Sequence, residues 1–468
     1  MSSNIAAVIL AAGKGTRMKS DRAKVLHRLC GRPLAFFPLR AALALDCAPA
    51  VVVVGHQGDE VESELGGLFA GAPVKFAVQK EQLGTGHAVL SAEAVLREAG
   101  FGDTGSVLIL CGDTPLVTAE TLQRLVAAKA RARRTLAMVT TRPANPHGYG
   151  RVLRSGLGTV ERVVEEKDAT DDQREIGEVN AGIYLCDAGF LFQSLKSVTR
   201  SNSQGEFYLT DIVAAAARTA GGAVAVEAPE AEVSGVNDRA QLAWSAGQLR
   251  ERRNAQLMRE GVTMVDPAAT YVDEGVEVAQ DALLEPHVSL RGKTRIGRGA
   301  EIGQGSVLID TEVQEGAKIL PYSHCEGATV GKGATVGPFA RLRPGAQLGE
   351  GSHVGNFVEL KKTVLGKGSK ANHLAYLGDA VIGEGVNVGA GTITCNYDGK
   401  KKFQTTIEDF AFIGSDTQLI APVTVGKGAY VGTGTTVRED VPAGALAVSA
   451  GKQRNLEGWV AEKKKKQG

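Results

Sequence analysis

From residue 272 onward, aliphatic side chains recur every six positions, at Val272, Val278, Leu284, Leu290, Ile296, Ile302 and Leu308. After a phase shift the spacing returns at Val330, Val336, Leu342, Leu348, Val354 and Leu360, and again at Ile407, Ile413, Leu419, Val425, Val431 and Val437. Neither a helix, at about 3.6 residues per turn, nor a strand, at about two, generates this repeat. It specifies a parallel β-helix of hexapeptide repeats: each side of a triangular coil sends one aliphatic residue into a shared core and turns at glycine or a small residue. Three sides make a coil, so residues 263–450 supply about ten coils. Composition agrees, since Gly contributes 59 of 468 residues, nearly double the usual share of about 7%. The stretch 397–402 interrupts the period and is expected to project as a loop.

The first half reads differently. Apolar runs of strand length at 5–10, 51–54, 74–78 and 107–110 alternate with helical periods at 33–45, 86–98 and 119–130, and short strands are expected around Val152, Val163 and Ile183. Such alternation predicts an α/β, doubly wound, mostly parallel sheet whose ligands sit beyond the carboxyl ends of the strands. Between Arg239 and Gly261 the chain is rich in Gln, Arg, Glu and Leu, and Leu242, Leu249 and Leu257 form a weak stripe. A connecting helix closed by Gly261 is expected there. The domains are therefore read as 1–239, a linker helix at 240–261, the prism at 262–450 and a basic tail at 451–468.

Lys and Arg total 53 against 52 Asp and Glu, a net charge of +1. This balance argues against a nucleic-acid or anionic-membrane partner, and the run of lysines at 463–466 reads as a solvated tail. No apolar run approaches the roughly 18 residues of a membrane span, and residues 5–12 lack the basic flank of a signal peptide. Six scattered cysteines without C-x-x-C spacing suit free thiols in a reducing cytoplasm.

Two features of the first half carry chemistry. Residues 10–18, LAAGKGTRM, follow the first strand. Small residues and two glycines let backbone N–H groups approach phosphate oxygens, and Lys14 and Arg17 supply charge. The string is neither a Walker A loop nor a dinucleotide fingerprint. Lys24 follows downstream. Cys111-Gly112-Asp113 ends the strand at 106–110, placing a carboxylate in the same crevice, where Asp113 can hold Mg²⁺ while phosphates and waters complete its shell.

The strings LAAGKGTRM (10–18), KVLH (24–27), EQLGTGH (81–87), GD (112–113), GYGR (148–151), EEKD (165–168), Asn180 and GVN (235–237) resemble the sugar-nucleotide pyrophosphorylases. Joined to GPFARLRPG (337–345), HVGNFVE (353–359), GSKANH (368–373), GAGTITCNYD (389–398) and GSDTQ (414–418), the resemblance narrows. The chain is similar, over almost its whole length, to the bacterial bifunctional N-acetylglucosamine-1-phosphate uridyltransferases and glucosamine-1-phosphate acetyltransferases. The resemblance implies a nucleotidyltransferase domain, a connecting helix, a left-handed β-helix and a cytoplasmic homotrimer with the acetyl site between neighbouring prisms.

For the uridylyl half, the resemblance implies that Leu10, Ala11, Ala12, Gly13, Gln79, Gly84 and Thr85 hold the uridine nucleotide of UTP, with Cys111 and Gly112 also among the substrate-binding residues of that site. Gly150, Glu165 and Asn180 would take N-acetylglucosamine-1-phosphate, and Asp113 and Asn237 would bind Mg²⁺. Arg17 and Lys24 would be catalytic, neutralising phosphates. The attacking phosphate oxygen is already mostly ionised near neutral pH, its second pKa being about 6, so alignment and charge stabilisation suffice. In the acetyl half an amine attacks the acetyl-CoA thioester and must lose a proton, so a base is required; the match makes His373 that base. Arg343 and Lys361 would take the phosphate of glucosamine-1-phosphate, with Tyr376 and Asn387 on the hexose. Ala390, Asn396, Tyr397, Ser415 and Thr433 would line the acetyl-CoA groove. Thr433 stands where family members can carry Ala, and Ala450 where a basic residue can contact the CoA phosphates, with Lys452 and Arg454 nearby.

Two other readings stand beside this one. The β-helix of a nucleotidyltransferase can serve only to trimerise it, and a hexapeptide prism can carry zinc as in γ-carbonic anhydrases. His324, His353 and His373 lack the close pair that zinc sites of that kind use. His373 together with the Asn396-Tyr397 loop separates the bifunctional reading from the first alternative.

Overall fold

The computed structural model describes residues 4–55, 57–449, 451, 453 and 455–466. Ala450, Lys452 and Arg454, the positions discussed for the CoA phosphates, lie outside the described residues. Contacts divide the chain into two compact units between Leu249 and Arg250.

The first unit is built on a mixed sheet. Its strands are β1 (Ile5–Ala11), β2 (Ala50–Val54), β3 (Val74–Val78), β4 (Ser106–Cys111), β5 (Leu136–Thr141), β6 (Arg151–Arg154), β7 (Val160–Val164), β8 (Val179–Asp187) and β9 (Ala223–Glu227). The spatial order is β9-β5-β8-β4-β1-β2-β3, with the β6–β7 hairpin attached at β8. On β1, Ala7 and Ile9 pack into one apolar layer and Ala6 and Val8 into the other. Burial of both faces explains why the strand reads as an uninterrupted apolar run. β4, β1, β2 and β3 are parallel, as the alternation predicts. β8 is antiparallel to both β4 and β5, because the excursion through the β6–β7 hairpin returns the chain from the opposite end of the sheet.

Two helical expectations change. The stretch expected as helix from residue 33 opens with a hairpin, Arg28–Leu29 against Arg32–Pro33, turned at Cys30 and Gly31 in left-handed conformations; the helix spans Phe36–Leu43. The stretch 86–98 is two helices, Thr85–Ser91 and Glu93–Glu98, because the Ala92 N–H bonds the carbonyl of Val89 three residues back and tightens the turn.

The helix Arg239–Arg259 crosses the division between units. Leu249 packs with Leu29, Leu34, Phe37 and Leu116 of the first unit, and Leu257 joins the core of the second. The expected stripe therefore serves two cores. The helix ends in a Schellman motif: Gly261, at φ +97°, donates to the Met258 carbonyl and Val262 to that of Leu257, while Val262 and Leu257 share one apolar cluster.

Among the described residues of the second unit, three parallel sheets of eleven, ten and nine strands form the faces of a triangular prism. This is the left-handed β-helix of hexapeptide repeats. The aliphatic positions of the repeat stack inside, and all but the half-buried Val278 are buried. The first phase shift is a short side rather than a break, and the second combines short sides with an inserted loop. Leu290 pairs with Leu308 but Leu308 with Cys325, because the side from Leu308 to Val313 has five residues; Val313, Ile319, Leu365, Leu377 and Ile382 continue the stack unseen by a strict period of six. At the interruption Ala380 pairs with Thr405; the coil between them carries the strands Asn387–Val388 and Ile393–Cys395, and residues 396–404 project from it as a loop closed by a Tyr397–Lys402 bridge. Among the described residues no helix is long and apolar enough to cross a membrane.

Candidate active sites

In the first unit the loop after β1 turns at Gly15, whose φ is +59° and where a Cβ would lie 2.5 Å from the Lys24 Cβ. Only glycine lets Lys24 pass beneath the loop. Lys24 opens the short turn Lys24–Leu26, anchored by buried Val25 and Leu26. At the end of β4, a Cβ on Gly112 would meet the Leu10 carbonyl at 2.9 Å, so glycine also brings Asp113 close to the β1 loop. The Asp113 carbonyl accepts from the Val236 N–H at 2.8 Å, which ties the segment bearing Asn237 to the strand end.

Four polar side chains meet there. Lys24 Nζ bonds Asp113 Oδ2 and donates to Asn237 Oδ1 at 3.2 Å; Arg17 Nη2 donates to the same oxygen at 2.8 Å. Cavities open on either side. One, of about 310 Å³, is lined by Leu10, Ala11, Ala12, Gly13, Lys24, Gln79, Gly84 and Thr85, and the other, of about 380 Å³, by Arg17, Gly150, Glu165, Asn180 and Asn237. Cys111 and Asp113 line both. Gly112 lines neither and acts through its close approach to Leu10. Lys14, named beside Arg17 from the sequence, is exposed and lines neither cavity.

Electrostatics sort these groups. Burial, helped by the Asp113 charge and opposed by Lys24, pushes the Cys111 thiol up to about 12, so it stays protonated rather than becoming a nucleophile. Burial also raises the Glu165 carboxyl; the Thr210 hydroxyl, donating at 3.0 Å, opposes this, and the carboxylates of Asp168, Asp211 and Glu206 add to it. Buried Gln79 donates to the Gly84 carbonyl at 3.1 Å and holds the turn of the EQLGTGH segment. Residues that the sequence motifs do not single out include Gln82, which donates to the Ala12 carbonyl at 2.7 Å across the first cavity, and Glu206, which lines it. Gln82 stands inside a recognised string; Glu206 has no signal, because only folding brings its segment to the Gly84 turn.

Asp113 and Asn237 can hold a divalent ion, for their oxygens already converge on one cation, the Lys24 ammonium. Among the described residues no three His, Cys, Asp or Glu side chains cluster as a metal site, so a metal here needs ligands from phosphate and water.

In the second unit the residues lie on two edges of the ten-stranded sheet. Along one edge a backbone ladder runs from the Leu374 N–H to Asn356, Gly391 to Leu374, Asp416 to Ala390 and Gly434 to Ser415. It stacks His373, Ala390, Ser415 and Thr433 in successive coils, flanked by Asn387 on the eleven-stranded sheet. His373 is exposed, with Nδ1 3.0 Å from Asn356 Oδ1. An amide oxygen can only accept, so Nδ1 carries the proton and Nε2 of the neutral ring has a free lone pair. Nearby His353 is lowered by burial first, then by Lys370 and His373.

The opposite edge is cationic. Arg343 donates to Glu359 at 2.9 Å, and Lys402 from the projecting loop crowds Lys361, whose ammonium is pulled below the usual lysine range by Lys402 first and by Arg343 as well. A Cβ on Gly378 would lie 2.5 Å from the Tyr376 hydroxyl and 2.8 Å from the Asn396 amide, so this glycine admits both. Asn396 donates to Asp379, and Tyr397 stands in the loop. Lys402 carries no sequence signal because the loop holds three consecutive lysines and no spacing distinguishes them. One chain thus assembles the Asp113 cluster completely but leaves His373 and the cationic group on different edges of a face.

Residues 7–175 match the MobA-like NTP transferase domain, and residues 327–362 the bacterial transferase hexapeptide (six repeats). The bifunctional protein GlmU of Anaeromyxobacter sp. (strain Fw109-5) is 59% identical, over 98% of this chain and 93% of that protein. That of Anaeromyxobacter dehalogenans (strain 2CP-C) is 54% identical over the same shares. That of Pelobacter propionicus is 50% identical over 99% of both chains. Identity of this order, sustained along nearly the whole of each protein and across both units, means that the chain belongs to the family of the bifunctional protein GlmU.

Proposed function

We propose that the chain is a bifunctional enzyme that acetylates glucosamine-1-phosphate with acetyl-CoA and then transfers uridylyl from UTP to the N-acetylglucosamine-1-phosphate formed, releasing pyrophosphate. The observation that carries this reading is the meeting of Arg17, Lys24, Asp113 and Asn237 between two cavities, in a chain whose other unit carries an imidazole with a free Nε2. Residues 1–239 are read as the uridylyl domain, 240–261 as the linker helix, 262–450 as the acetyl domain and 451–468 as a basic tail.

In uridylyl transfer a phosphate oxygen of the sugar phosphate attacks the α-phosphorus of UTP and pyrophosphate leaves. The nucleotide would occupy the cavity beneath the β1 loop, and the sugar phosphate the cavity lined by Gly150, Glu165 and Asn180. Arg17 and Lys24 would balance the charge gathered at the reacting phosphorus. Mg²⁺, held by Asp113 and Asn237, would neutralise phosphate charge and orient the triphosphate.

For acetyl transfer, the glucosamine amine forms a bond to the thioester carbonyl carbon, the C–S bond breaks to release CoA, and the nitrogen loses a proton. His373 Nε2 accepts that proton, with Asn356 fixing the tautomer. Arg343, Lys361 and Lys402 form a group of cations suited to the sugar phosphate, Tyr376 and Asn387 would bind the hexose, and Ala390, Asn396, Tyr397, Ser415 and Thr433 the acetyl-CoA. Because these groups occupy two edges of one prism, the reading includes a homotrimer in which the cationic edge of one chain faces the His373 edge of the next. The buried thiols of Cys47, Cys186 and Cys325 suit a cytoplasmic location.

Omitting each substrate in turn tests the reading. CoA release should require glucosamine-1-phosphate but not UTP, and pyrophosphate release from glucosamine-1-phosphate should require acetyl-CoA. Pyrophosphate formed from glucosamine-1-phosphate and UTP alone would contradict it.

A further inference from the structure

We infer that the Lys24 ammonium is the resident cation of the Asp113–Asn237 oxygen pair when no nucleotide is bound, so that a divalent ion enters this site with the nucleotide and not ahead of it. The inference rests on the reading of Asp113 and Asn237 as metal ligands. Lys24 Nζ bonds Asp113 Oδ2 and lies 3.2 Å from Asn237 Oδ1, the two oxygens that reading assigns to the metal. Both side chains of the ion pair are well shielded, Lys24 at 15% and Asp113 at 21% exposure. Asn237 is held with its oxygen toward this point. Its Nδ2 donates to the Gly235 carbonyl at 3.4 Å, its backbone N–H to Gln241 Oε1 at 2.7 Å, and Arg17 donates to the same Oδ1.

The base of Lys24 cannot retreat. Its Cβ lies under Gly15, and the next two residues are buried, so only the ammonium end can swing away. A divalent ion arriving alone would exchange only two of its waters for protein oxygens, one of them a neutral amide oxygen, keeping water in the rest of its octahedral shell, and would have to displace a charge already neutralising Asp113. A triphosphate changes both terms. It supplies oxygens to the metal, and in the cavity that Lys24 also lines it offers the ammonium a new partner. Lys24 is thus a positioning residue for the metal before it is a phosphate ligand.

The test is Mn²⁺ binding to the full-length protein, followed by electron paramagnetic resonance with and without uridine α,β-methylene triphosphate. Without nucleotide, Lys24→Met should bind Mn²⁺ roughly tenfold more tightly than wild type or better, since a like charge within hydrogen-bond reach of a divalent ion is removed. Asp113→Asn in that background should abolish the gain. With the analogue bound the difference should largely vanish. If Lys24→Met does not fold, Lys24→Gln carries the same expectation. Equal or weaker nucleotide-free Mn²⁺ binding in the variant, with analogue-dependent binding still sensitive to Asp113, would overturn the exchange and leave the metal reading standing. Analogue-dependent binding indifferent to Asp113→Asn would overturn the metal reading itself.

Discussion

The Asp113 cluster draws on residues 17, 24, 113 and 237, gathered because parallel strands deliver loops from distant parts of the chain to one end of a sheet. Along the His373 edge, by contrast, neighbouring side chains sit one coil apart in sequence, since register stacks them in rows. An α/β sheet can therefore converge a full set of polar groups within one chain. A prism distributes them along its edges and, if the acetyl site is shared within a trimer, needs a neighbouring prism to close it.

The sharpest break between the two halves is expected from His373→Ala, which should lower acetyl transfer by about 10²–10⁴-fold, the usual contribution of a positioned acid–base group. Uridylyl transfer from supplied N-acetylglucosamine-1-phosphate should be unchanged, with unaltered melting. Normal acetyl transfer in the folded variant would remove the imidazole from the chemistry. Asp113→Ala should do the reverse, cutting pyrophosphate release by roughly 10³-fold as charge stabilisation is lost while acetyl transfer persists. Parallel loss of both activities in folded protein would deny that the sites are independent.

Stability should divide in the same way. Leu342 is fully buried and stacks between Cys325 and Leu360. Truncation to Ala should cost the prism about 2–5 kcal/mol, read as an earlier melting transition that spares uridylyl transfer. The smallest effect is expected at Glu165. Burial raises its carboxyl pKa in the folded state, so its contribution to stability is present below the unfolded carboxylate range and is lost as pH rises through the raised value. Glu165→Gln, neutral throughout, should raise the melting temperature by a few degrees at pH 8 and have little effect at pH 4. An equal shift at both would assign the change to packing.

The two units also differ in what can be read from their residues. Leu284, Leu290 and Ile302 announce the prism because each fills the same inward position on a side of a coil. The five-residue sides at Val313 and Leu365 are hidden, since a shortened corner leaves inward stacking intact while shifting the count. In the first unit the apolar run of β1 is plain. The antiparallel course of β8 is not, because side-chain alternation carries no direction. Among site groups, Arg17, Lys24 and Asp113 stand beside strands whose ends mark the crevice. Gln82, Glu206 and Lys402 matter through tertiary proximity, which no local spacing encodes.

Mixed assemblies test the central contrast most directly. His373→Ala and Arg343→Ala chains should each lack acetyl transfer alone, because each spoils one edge. Co-assembled in equal amounts, they should regain up to roughly a quarter of the wild-type rate, the chance that each chain supplies the intact edge the other lacks. Arg17→Ala mixed with Asp113→Ala should regain no uridylyl transfer, since Arg17, Lys24, Asp113 and Asn237 meet within one chain. Recovery of acetyl transfer without recovery of uridylyl transfer is the predicted result. Mixed trimers, verified by light scattering, that recover neither activity would contradict an acetyl site shared between chains.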